Sequence, residues 1–395
     1  MAQQGLDRRE FIAGAAAAGL TIVSSGAVRG AAANEQIKLG ISGCGGRGQW
    51  IANLFQKDGR YKIVALHDYF QDRLDKAGEN FGVPADKRFT GMDGYKQLLQ
   101  AGVDAVAIIT PPYFHPEQTA AALEAGKHVY LAKPIAVDVP GCVTITELAK
   151  KHADKLCCWV DFQTRMDEFY QESIKRIHAG LIGDAVSGQV YYIAGRLGKQ
   201  AEPGTPGARL RNWVFDKALS GDIIVEQNIH VLDVANWVLK GHPVKAIGTG
   251  GRKARVDVGD CWEHFMVHYT YPNDVLIDFS SAQFTQGYDD LCCRIYGKLG
   301  TFDSHYGGQV HVRAKTGPYK GGLTTQIYQA GAVANIKVFA EAILAGKPIS
   351  NADESASSTL TAILGRTAAY EGRAVTWDEM MKANVKLDGQ LDRLS

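Results

Sequence analysis

Short apolar runs alternate with segments of helical periodicity along the first third of the chain. Four runs have the length of buried strands, namely 37–42, 61–66, 103–109 and 128–131. The segments 49–57 and 116–125, which lie between these runs, are predicted to be helices. Strands and helices that alternate through short loops form a doubly wound parallel sheet, and ligands bind beyond the carboxyl ends of its strands.

The second half of the chain has a different pattern, with strand-like runs that follow one another more closely. These runs cover 190–193, 262–271 and 275–279. Alternation within 262–271 places His264 and His268 on one sheet face, where packing is a better explanation than metal binding. We therefore expect an α+β second domain with a large, mostly antiparallel open sheet, and an open face of this kind favours a homo-oligomer.

Length and composition fit two globular domains, because the chain has 395 residues, of which 46% are hydrophobic and 22% charged. We place the first domain at 34–157 and the second at 158–395, with a C-terminal segment that can pack back on the first. A net charge of +1 and the lack of a basic stripe argue against nucleic acid as a partner. The seven cysteines contain no CxxC pair, so we interpret them as small buried residues and expect no zinc knuckle.

The first 33 residues have the order of features found in an export signal. Arg8 and Arg9 precede a moderately apolar run that extends to about Val28, and the small residues 31–33 follow. Paired arginines in this position predict a twin-arginine signal and a periplasmic or otherwise exported protein. No cysteine follows the run, so no lipid anchor is expected. The alternative is a short amphipathic helix at the N-terminus.

A glycine-rich turn follows the first predicted strand and matches the pattern GxGxxG. Its residues, all expected to contact a cofactor, are Gly43, Cys44, Gly45, Gly46, Arg47 and Gly48. Such a turn lets the backbone approach a pyrophosphate, and the following helix offers its free N–H groups. Asp68 ends the second strand twenty residues later, where a carboxylate accepts hydrogen bonds from a ribose and repels a 2′-phosphate. The cofactor predicted is NAD, although Arg73 can weaken that preference and Asp68 can instead cap the next helix.

Several further segments give the mature chain a resemblance to the Gfo/Idh/MocA oxidoreductase superfamily. They are the turn at 110–111, the segment 125–134 that leads to Lys133 and Pro134, the segment 180–183, and the C-terminal segments 360–366 and 375–377. The resemblance implies an NAD-binding Rossmann domain and a carbohydrate substrate, and it is greatest to exported twin-arginine members. It also implies cofactor contacts from Thr110, Pro111, His115 and Lys133. Ala132 stands where the family usually has Glu, so Lys133 is oriented differently here or by a partner elsewhere.

The segment 221–237 carries the residues that we expect to catalyse. If it forms one helix, Glu226, His230 and Asp233 share a face and Asp222 lies one turn earlier. The family pattern of an acidic residue followed four positions later by a catalytic histidine corresponds to Glu226 and His230. We expect His230 to take a hydroxyl proton and Lys133 to stabilise an alkoxide. Glu226 would hold a sugar hydroxyl or orient the base, and Asp233 would fix the imidazole tautomer.

Two other interpretations of this helix remain open. One is a structural polar network between the domains, and the other is a metal site, which we do not favour. The long loop 195–213 is predicted to overhang the active site or to be a plain surface loop. The substrate contacts expected from it are Arg211, Asn212 and Trp213, alongside Glu226 and His230, and Arg165 is a weaker candidate.

Three functions remain compatible with these features. The first is an NAD-dependent dehydrogenase of a sugar or glycoside secondary hydroxyl that holds its cofactor tightly. The second is a glycosidase that uses NAD only transiently, through oxidation, elimination, hydration and re-reduction. The third is a sugar- or NAD-binding protein without catalysis.

Overall fold

The computed structural model describes residues 36–393, so the predicted export signal lies outside the described residues. The first domain is built on a parallel six-stranded sheet with the strand order β3-β2-β1-β4-β5-β6. Its strands are β1 (Ile37–Ser42), β2 (Tyr61–Asp68), β3 (Arg88–Thr90), β4 (Ala105–Ile108), β5 (His128–Leu131) and β6 (Cys158–Val160). Its helices are α1 (Gly46–Asp58), α2 (Gln71–Phe81), α3 (Gly94–Gln100), α4 (His115–Glu124) and α5 (Val139–Lys151). This confirms the predicted doubly wound architecture.

The sixth strand lies beyond the predicted domain boundary at residue 157. β6 pairs in parallel with β5 and places Cys158 beside Val129. A strand of three residues is too short to show a period, so its membership of the sheet depends on its neighbour rather than on its own sequence.

The second domain contains a nine-stranded sheet in the order β14-β13-β12-β11-β7-β10-β9-β8-β15. Its strands are β7 (Ala185–Gly195), β8 (Lys245–Gly251), β9 (His264–Thr270), β10 (Leu276–Thr285), β11 (Asp290–Gly297), β12 (Gly300–His305), β13 (Gln309–Ala314), β14 (Tyr319–Leu323) and β15 (Val375–Thr376). Only β7 and β10 pair in parallel, which confirms the predicted mostly antiparallel sheet. Phe265 and Val267 point to the core, whereas His264, Met266 and His268 share the opposite, partly exposed face.

Eight helices accompany this sheet in the described part of the chain. They are α6 (Glu168–His178), α7 (Ala208–Arg211), α8 (Lys217–Ser220), α9 (Ile223–Glu226), α10 (Ile229–Leu239), α11 (Ile327–Leu344), α12 (Ala352–Glu371) and α13 (Trp377–Ala383). Helix α11 returns to the first domain and packs against α1, while α12 packs against α5, α10 and β8. One hydrophobic core therefore includes Leu131 and Ile145 of the first domain together with Ile224 and Phe265 of the second.

Two further expectations can be compared with this fold. All seven cysteines are buried and unpaired, which confirms their interpretation as small core residues. None of the helices within residues 36–393 has the length and apolar character that crossing a membrane requires.

Candidate active site in the cleft between the two sheets

The glycine turn is shaped by steric contacts that only glycine allows. Gly43 has φ of +95°, a left-handed conformation that other residues rarely adopt. A Cβ at Gly48 would lie 1.8 Å from the carbonyl oxygen of Gly43, so a glycine is needed for α1 to pack this close to β1. A Cβ at Gly46 would meet nothing within 4 Å. The turn therefore leaves open space beside the N-terminus of α1, as a pyrophosphate group requires.

Asp68 is held in place at the end of β2 by two backbone amides. Its Oδ2 accepts a hydrogen bond from the amide of Cys44 at 2.7 Å, and its Oδ1 accepts one from the amide of Phe70 at 2.9 Å. The carboxylate thus has a fixed orientation at the edge of the glycine turn. Arg73 lies close by, since its guanidinium would be 3.4 Å from a Cβ at Gly45.

A cleft of about 500 Å³ runs from this turn to the second domain. The predicted site residues that line it are Gly43, Gly45, Gly46, Arg47, Gly48, Asp68, Arg73, Thr110, Pro111, Arg211, Trp213 and Glu226. These residues come from both domains, and the glycine turn, the Asp68 carboxylate and the open space beside α1 fit a dinucleotide. The structure therefore brings together most of the predicted cofactor contacts.

Cys44, His115 and Lys133, three of the predicted cofactor contacts, do not line the cleft. The Cys44 side chain is buried, and only its amide takes part in the turn through Asp68. His115 is buried between two carbonyl groups, with Nδ1 2.8 Å from the oxygen of Pro134 and Nε2 2.8 Å from that of Thr110. Burial lowers the pKa of His115 to about 4, so it stays neutral. We correct its role from cofactor contact to a support for the loops that do line the cleft.

Lys133 lies just after β5 and forms an ion pair with Glu226, which lines the cleft. Its Nζ lies 3.2 Å from the Glu226 Oε1 and also donates to the Glu226 carbonyl. Burial lowers the pKa of Lys133, and the negative charge of Glu226 opposes that decrease. Glu226 thus provides the acidic partner that Ala132, in the position before Lys133, cannot supply.

The segment 221–237 is two helices rather than the single helix predicted. α9 ends at Glu226, and α10 begins at Ile229. In a continuous helix the amide of His230 would donate to the Glu226 carbonyl. Here Lys133 donates to that carbonyl, and the amide of His230 donates instead to the carbonyl of Gln227 at 3.4 Å. Asp222 is not on the catalytic face, because its carboxylate caps α9 and accepts from the Tyr370 hydroxyl at 2.7 Å.

His230 lies at the start of α10 with its imidazole held among aromatic rings. The ring centroids of Tyr306 and Phe162 are 5.5 Å and 6.5 Å from that of His230. Its Nδ1 is buried without a hydrogen-bond partner. Burial lowers the pKa of His230 well below its ordinary value, and the positive charges of Lys133 and Arg47 lower it further. The imidazole is consequently neutral at pH 7 and able to accept a proton.

Asp233 does not orient this imidazole, which corrects the role predicted for it. The Asp233 carboxylate is fully buried and forms a two-pronged ion pair with Arg165, at 2.8 Å between Nη2 and Oδ1 and 3.0 Å between Nε and Oδ2. The Ser358 hydroxyl donates to the same carboxylate at 2.7 Å. Arg165, a predicted substrate contact, is therefore part of a structural ion pair. Neither Arg165 nor Asp233 lines the cleft. Since Glu226 pairs with Lys133, the acidic groups suggested as metal ligands each have another partner.

Residues 196–214, which we call the cover loop, extend from the second domain over the cleft. Leu197, Gly198 and Gln200 line the cleft together with the predicted Arg211 and Trp213. This agrees with the expectation of an overhanging loop.

The predicted substrate residues of the cover loop have different surroundings. Arg211 donates to Asp72 at 2.7 Å and lies 4.0 Å above the Phe70 ring, so it reaches the first domain. Asn212 is buried and bonds the amide of Gln200 at 2.7 Å and the carbonyl of Ala201 at 2.7 Å. We correct the role of Asn212 from substrate contact to a brace of the loop.

Sequence analysis predicted Arg47 but missed its polar partners Asp161 and Tyr328, and it missed Gln227. Arg47 forms an ion pair with Asp161 and donates to the Tyr328 hydroxyl at 2.9 Å. Asp161 follows directly after β6, so its place at a strand end was a usable signal, whereas nothing local marks Tyr328. Gln227, which lines the cleft, accepts a hydrogen bond from Gln283 of β10.

Comparisons with known proteins match both domains. Residues 37–162 match the model of the oxidoreductase family with an NAD-binding Rossmann fold, and residues 170–303 match a GFO/IDH/MocA C-terminal domain. Among curated proteins, the NAD-dependent scyllo-inositol 2-dehydrogenase of Bacillus subtilis is 28% identical over 219 residues. That match covers 55% of this chain and 58% of the relative, so this chain spans less than two thirds of that enzyme.

Solved structures share the fold at lower identity. Scyllo-inositol dehydrogenase from Lactobacillus casei, with bound NAD(H) and scyllo-inositol, has a TM-score of 0.69 and 22% identity, with 87% of this chain and 100% of the other covered. The aldose-aldose oxidoreductase of Caulobacter crescentus has a TM-score of 0.71 and 21% identity over the same shares. The predicted family and the predicted cofactor, NAD, are both confirmed. The chain therefore belongs to the Gfo/Idh/MocA oxidoreductase family, and its first domain is an NAD-binding Rossmann domain.

Proposed function

We propose that the protein is an NAD-dependent oxidoreductase that acts on a secondary hydroxyl group of a sugar or glycoside and retains its cofactor between turnovers. The observation that carries this proposal is the ion pair of Lys133 with Glu226, at 3.2 Å, close enough to a neutral His230 to lower its pKa, where Glu226 lines the cleft that starts at the glycine turn. The curated relatives named as inositol dehydrogenases support a polyhydroxylated substrate.

The side chains at the inner end of the cleft have the charges that alcohol oxidation requires. NAD, when bound, supplies the hydride acceptor. His230 is neutral and takes the proton of the substrate hydroxyl, while the Lys133 ammonium stabilises the negative charge that develops on the same oxygen. Glu226 fixes the position of Lys133 and has an exposed edge that can accept a hydrogen bond from a neighbouring hydroxyl.

Buried amides around this centre support a neutral, hydroxyl-rich substrate. The side chains of Gln163, Asn228 and Gln283 each have at least one buried polar atom without a partner. Asn228 lies two residues before His230, Gln163 follows Phe162, and Gln283 donates to Gln227 of the cleft. Buried polar atoms normally find hydrogen bonds, so we infer that substrate hydroxyls bond to these amides.

The test is a screen of glycosides and free sugars with protein purified with its cofactor. Mass spectrometry should detect keto products, and the nicotinamide absorbance should change on addition of the right substrate. Lys133→Ala with His230→Ala should lower kcat by at least about 100-fold, while Lys155→Ala, on the surface, should leave it unchanged. Retained turnover in the double variant would overturn the proposed site. Release of the aglycone without net NADH would instead identify a redox-neutral glycosidase.

We also propose that the protein is exported through the twin-arginine route and works as a homo-oligomer. Arg8 and Arg9 support export, since that route carries folded proteins with their cofactor. The partly exposed apolar residues Ile247, Met266 and Leu276 on the open face of the second sheet support association. Replacing Arg8 and Arg9 by Lys should hold the protein in the cytoplasm, and light scattering should give a mass above the 42.8 kDa of one chain.

A further inference from the structure

A second group of chemically reactive side chains lies on β11 and β12, on the sheet face opposite the one that packs on α10. Cys292 and His305 are direct cross-strand partners, and Asp303 lies two residues before His305 on the same face. Cys292 is buried, whereas the His305 and Asp303 side chains are 27% and 14% exposed. The group is therefore accessible to a small ion from one side.

The donor atoms of the three residues converge. The Cys292 Sγ lies 3.8 Å from the Asp303 Oδ1, and the His305 Nε2 lies 3.4 Å from the same oxygen. All three donor atoms lie within 4.8 Å of one another. Zinc bonds of about 2.0–2.3 Å in a tetrahedral site place neighbouring donors about 3.3–3.8 Å apart, and the two separations from the Asp303 Oδ1 fall in this range.

The imidazole of His305 is oriented as in known metal sites. Its Nδ1 lies 2.6 Å from the Asp290 Oδ1, which accepts the Nδ1 proton, and its Nε2 is directed toward Asp303. Hydrogen bonds to Asp303 and Asp290 raise the pKa of His305 to about 9, so a metal ion has to displace the Nε2 proton. A carboxylate that holds the outer nitrogen of a histidine while the inner nitrogen faces a metal is a recurring feature of zinc sites. This contact is independent of the convergence of the three donors.

We propose that Cys292, Asp303 and His305 bind one divalent ion of the zinc class, with water as the fourth ligand. Thiolate, imidazole and carboxylate are the donors that zinc prefers, and binding releases the Cys292 thiol proton and the His305 Nε2 proton to solvent. The ion joins β11 to β12 on the open face of the second sheet. The site is separate from the NAD cleft, so it is structural and leaves the proposed chemistry unchanged.

Two neighbouring side chains compete for Asp303. The Nε of Arg294 donates to Oδ1 at 3.0 Å, and the Nε2 of His311 lies 3.8 Å from Oδ2. Arg294 and the protonated His305 neutralise the carboxylate without a metal, so the rival explanation of the group is an ion-pair network. The two explanations predict opposite effects for Arg294→Gln, which should strengthen metal binding but weaken an ion-pair network.

The experiment uses the full chain treated with a chelator and then titrated with Co²⁺. We expect one equivalent to give the near-ultraviolet charge-transfer absorption of a cobalt thiolate, and added Zn²⁺ to remove it. His305→Gln and Cys292→Ala should weaken binding at least about tenfold, and the latter should abolish the band. Cys293→Ala is the matched control, because the neighbouring thiol faces the core side of the same strand.

Thermal unfolding of the same samples separates the remaining outcomes. Zn²⁺ should raise the Tm of the unmodified protein and of Cys293→Ala, but not that of His305→Gln, because an ion stabilises only the state it binds. Absence of the cobalt thiolate band, or a band that survives Cys292→Ala, would overturn the proposal. A Tm that drops in Arg294→Gln without any effect of Zn²⁺ would establish the ion-pair network instead.

Discussion

His230, the proposed base, is half-buried with a buried Nδ1, and this environment determines how its protonation depends on pH. Its pKa in the folded protein lies well below the ordinary value of 6.5, chiefly because burial disfavours the imidazolium. The base therefore stays neutral in mildly acidic solution. We expect the acidic limb of the kcat/KM profile to lie below about pH 6.5. A limb above that value would contradict the assignment of His230 as the base.

The same pKa shift links His230 to stability. Below about pH 6.5 the unfolded chain binds a proton at this residue that the folded protein excludes, so the free energy of unfolding falls as the pH drops. Urea unfolding at about pH 5.5 and 7.5 measures the change. His230→Asn should reduce the pH dependence of the unfolding free energy. An identical dependence in the variant and the unmodified protein would show that His230 does not titrate in this way.

Two glycines of the same turn should respond differently to a single methyl group. The Cβ of Gly48→Ala would lie 1.8 Å from a backbone oxygen, so we expect a loss of about 1–3 kcal/mol in unfolding free energy. The Cβ of Gly46→Ala meets nothing, so stability should stay within about 0.5 kcal/mol while NAD affinity falls. Thermal unfolding and NAD titration of the stripped protein measure both. Unchanged NAD binding in Gly46→Ala would place the pyrophosphate elsewhere.

At the scale of elements, the cover loop provides a physical reason for cofactor retention. Arg211 links the loop to the first domain through Asp72 and the Phe70 ring. An exposed ion pair contributes at most about 1 kcal/mol, and stacking of a cation on an aromatic ring adds a similar amount. Arg211→Ala should therefore speed NAD dissociation roughly tenfold.

The control for that prediction lies in the same loop. Arg196 pairs with Asp257 of the second domain and does not reach the first. Arg196→Ala should leave the NAD dissociation rate unchanged in a stopped-flow displacement assay. Equal rates in the Arg211 and Arg196 variants would remove the cover loop as the cause of retention.

At the scale of the whole molecule, the two domains share one core. Helices α11 and α12 belong to the C-terminal part of the chain, yet they pack on α1 and α5 of the first domain. We expect far-ultraviolet circular dichroism and tryptophan fluorescence to report one coincident unfolding transition, and NAD to shift both signals together. Two separate transitions, or a shift confined to one signal, would show that the domains unfold independently.

Part of the fold and the site was predictable because its causes are local. β1 was predicted with the bounds observed, Ile37–Ser42, and β5 likewise, because buried parallel strands read as short apolar runs. The position of Asp68 followed from the spacing after the glycine turn. The break between α9 and α10 was not predictable, because the Glu226 carbonyl that it leaves free is bonded by a lysine 93 residues earlier in the chain.

The sequence by itself determined the strand–turn–helix unit that binds NAD, since glycine sterics and hydrophobic period act within a few residues. It also identified Lys133, Glu226 and His230 as candidates through their pattern. Only the tertiary structure decided which side chains the polar residues of the site bond to. Asp233 is paired with Arg165, 68 residues away, and Arg47 with Tyr328, 281 residues away. Charge pairing in a buried site depends on which side chains the fold brings together, and no local pattern encodes that proximity.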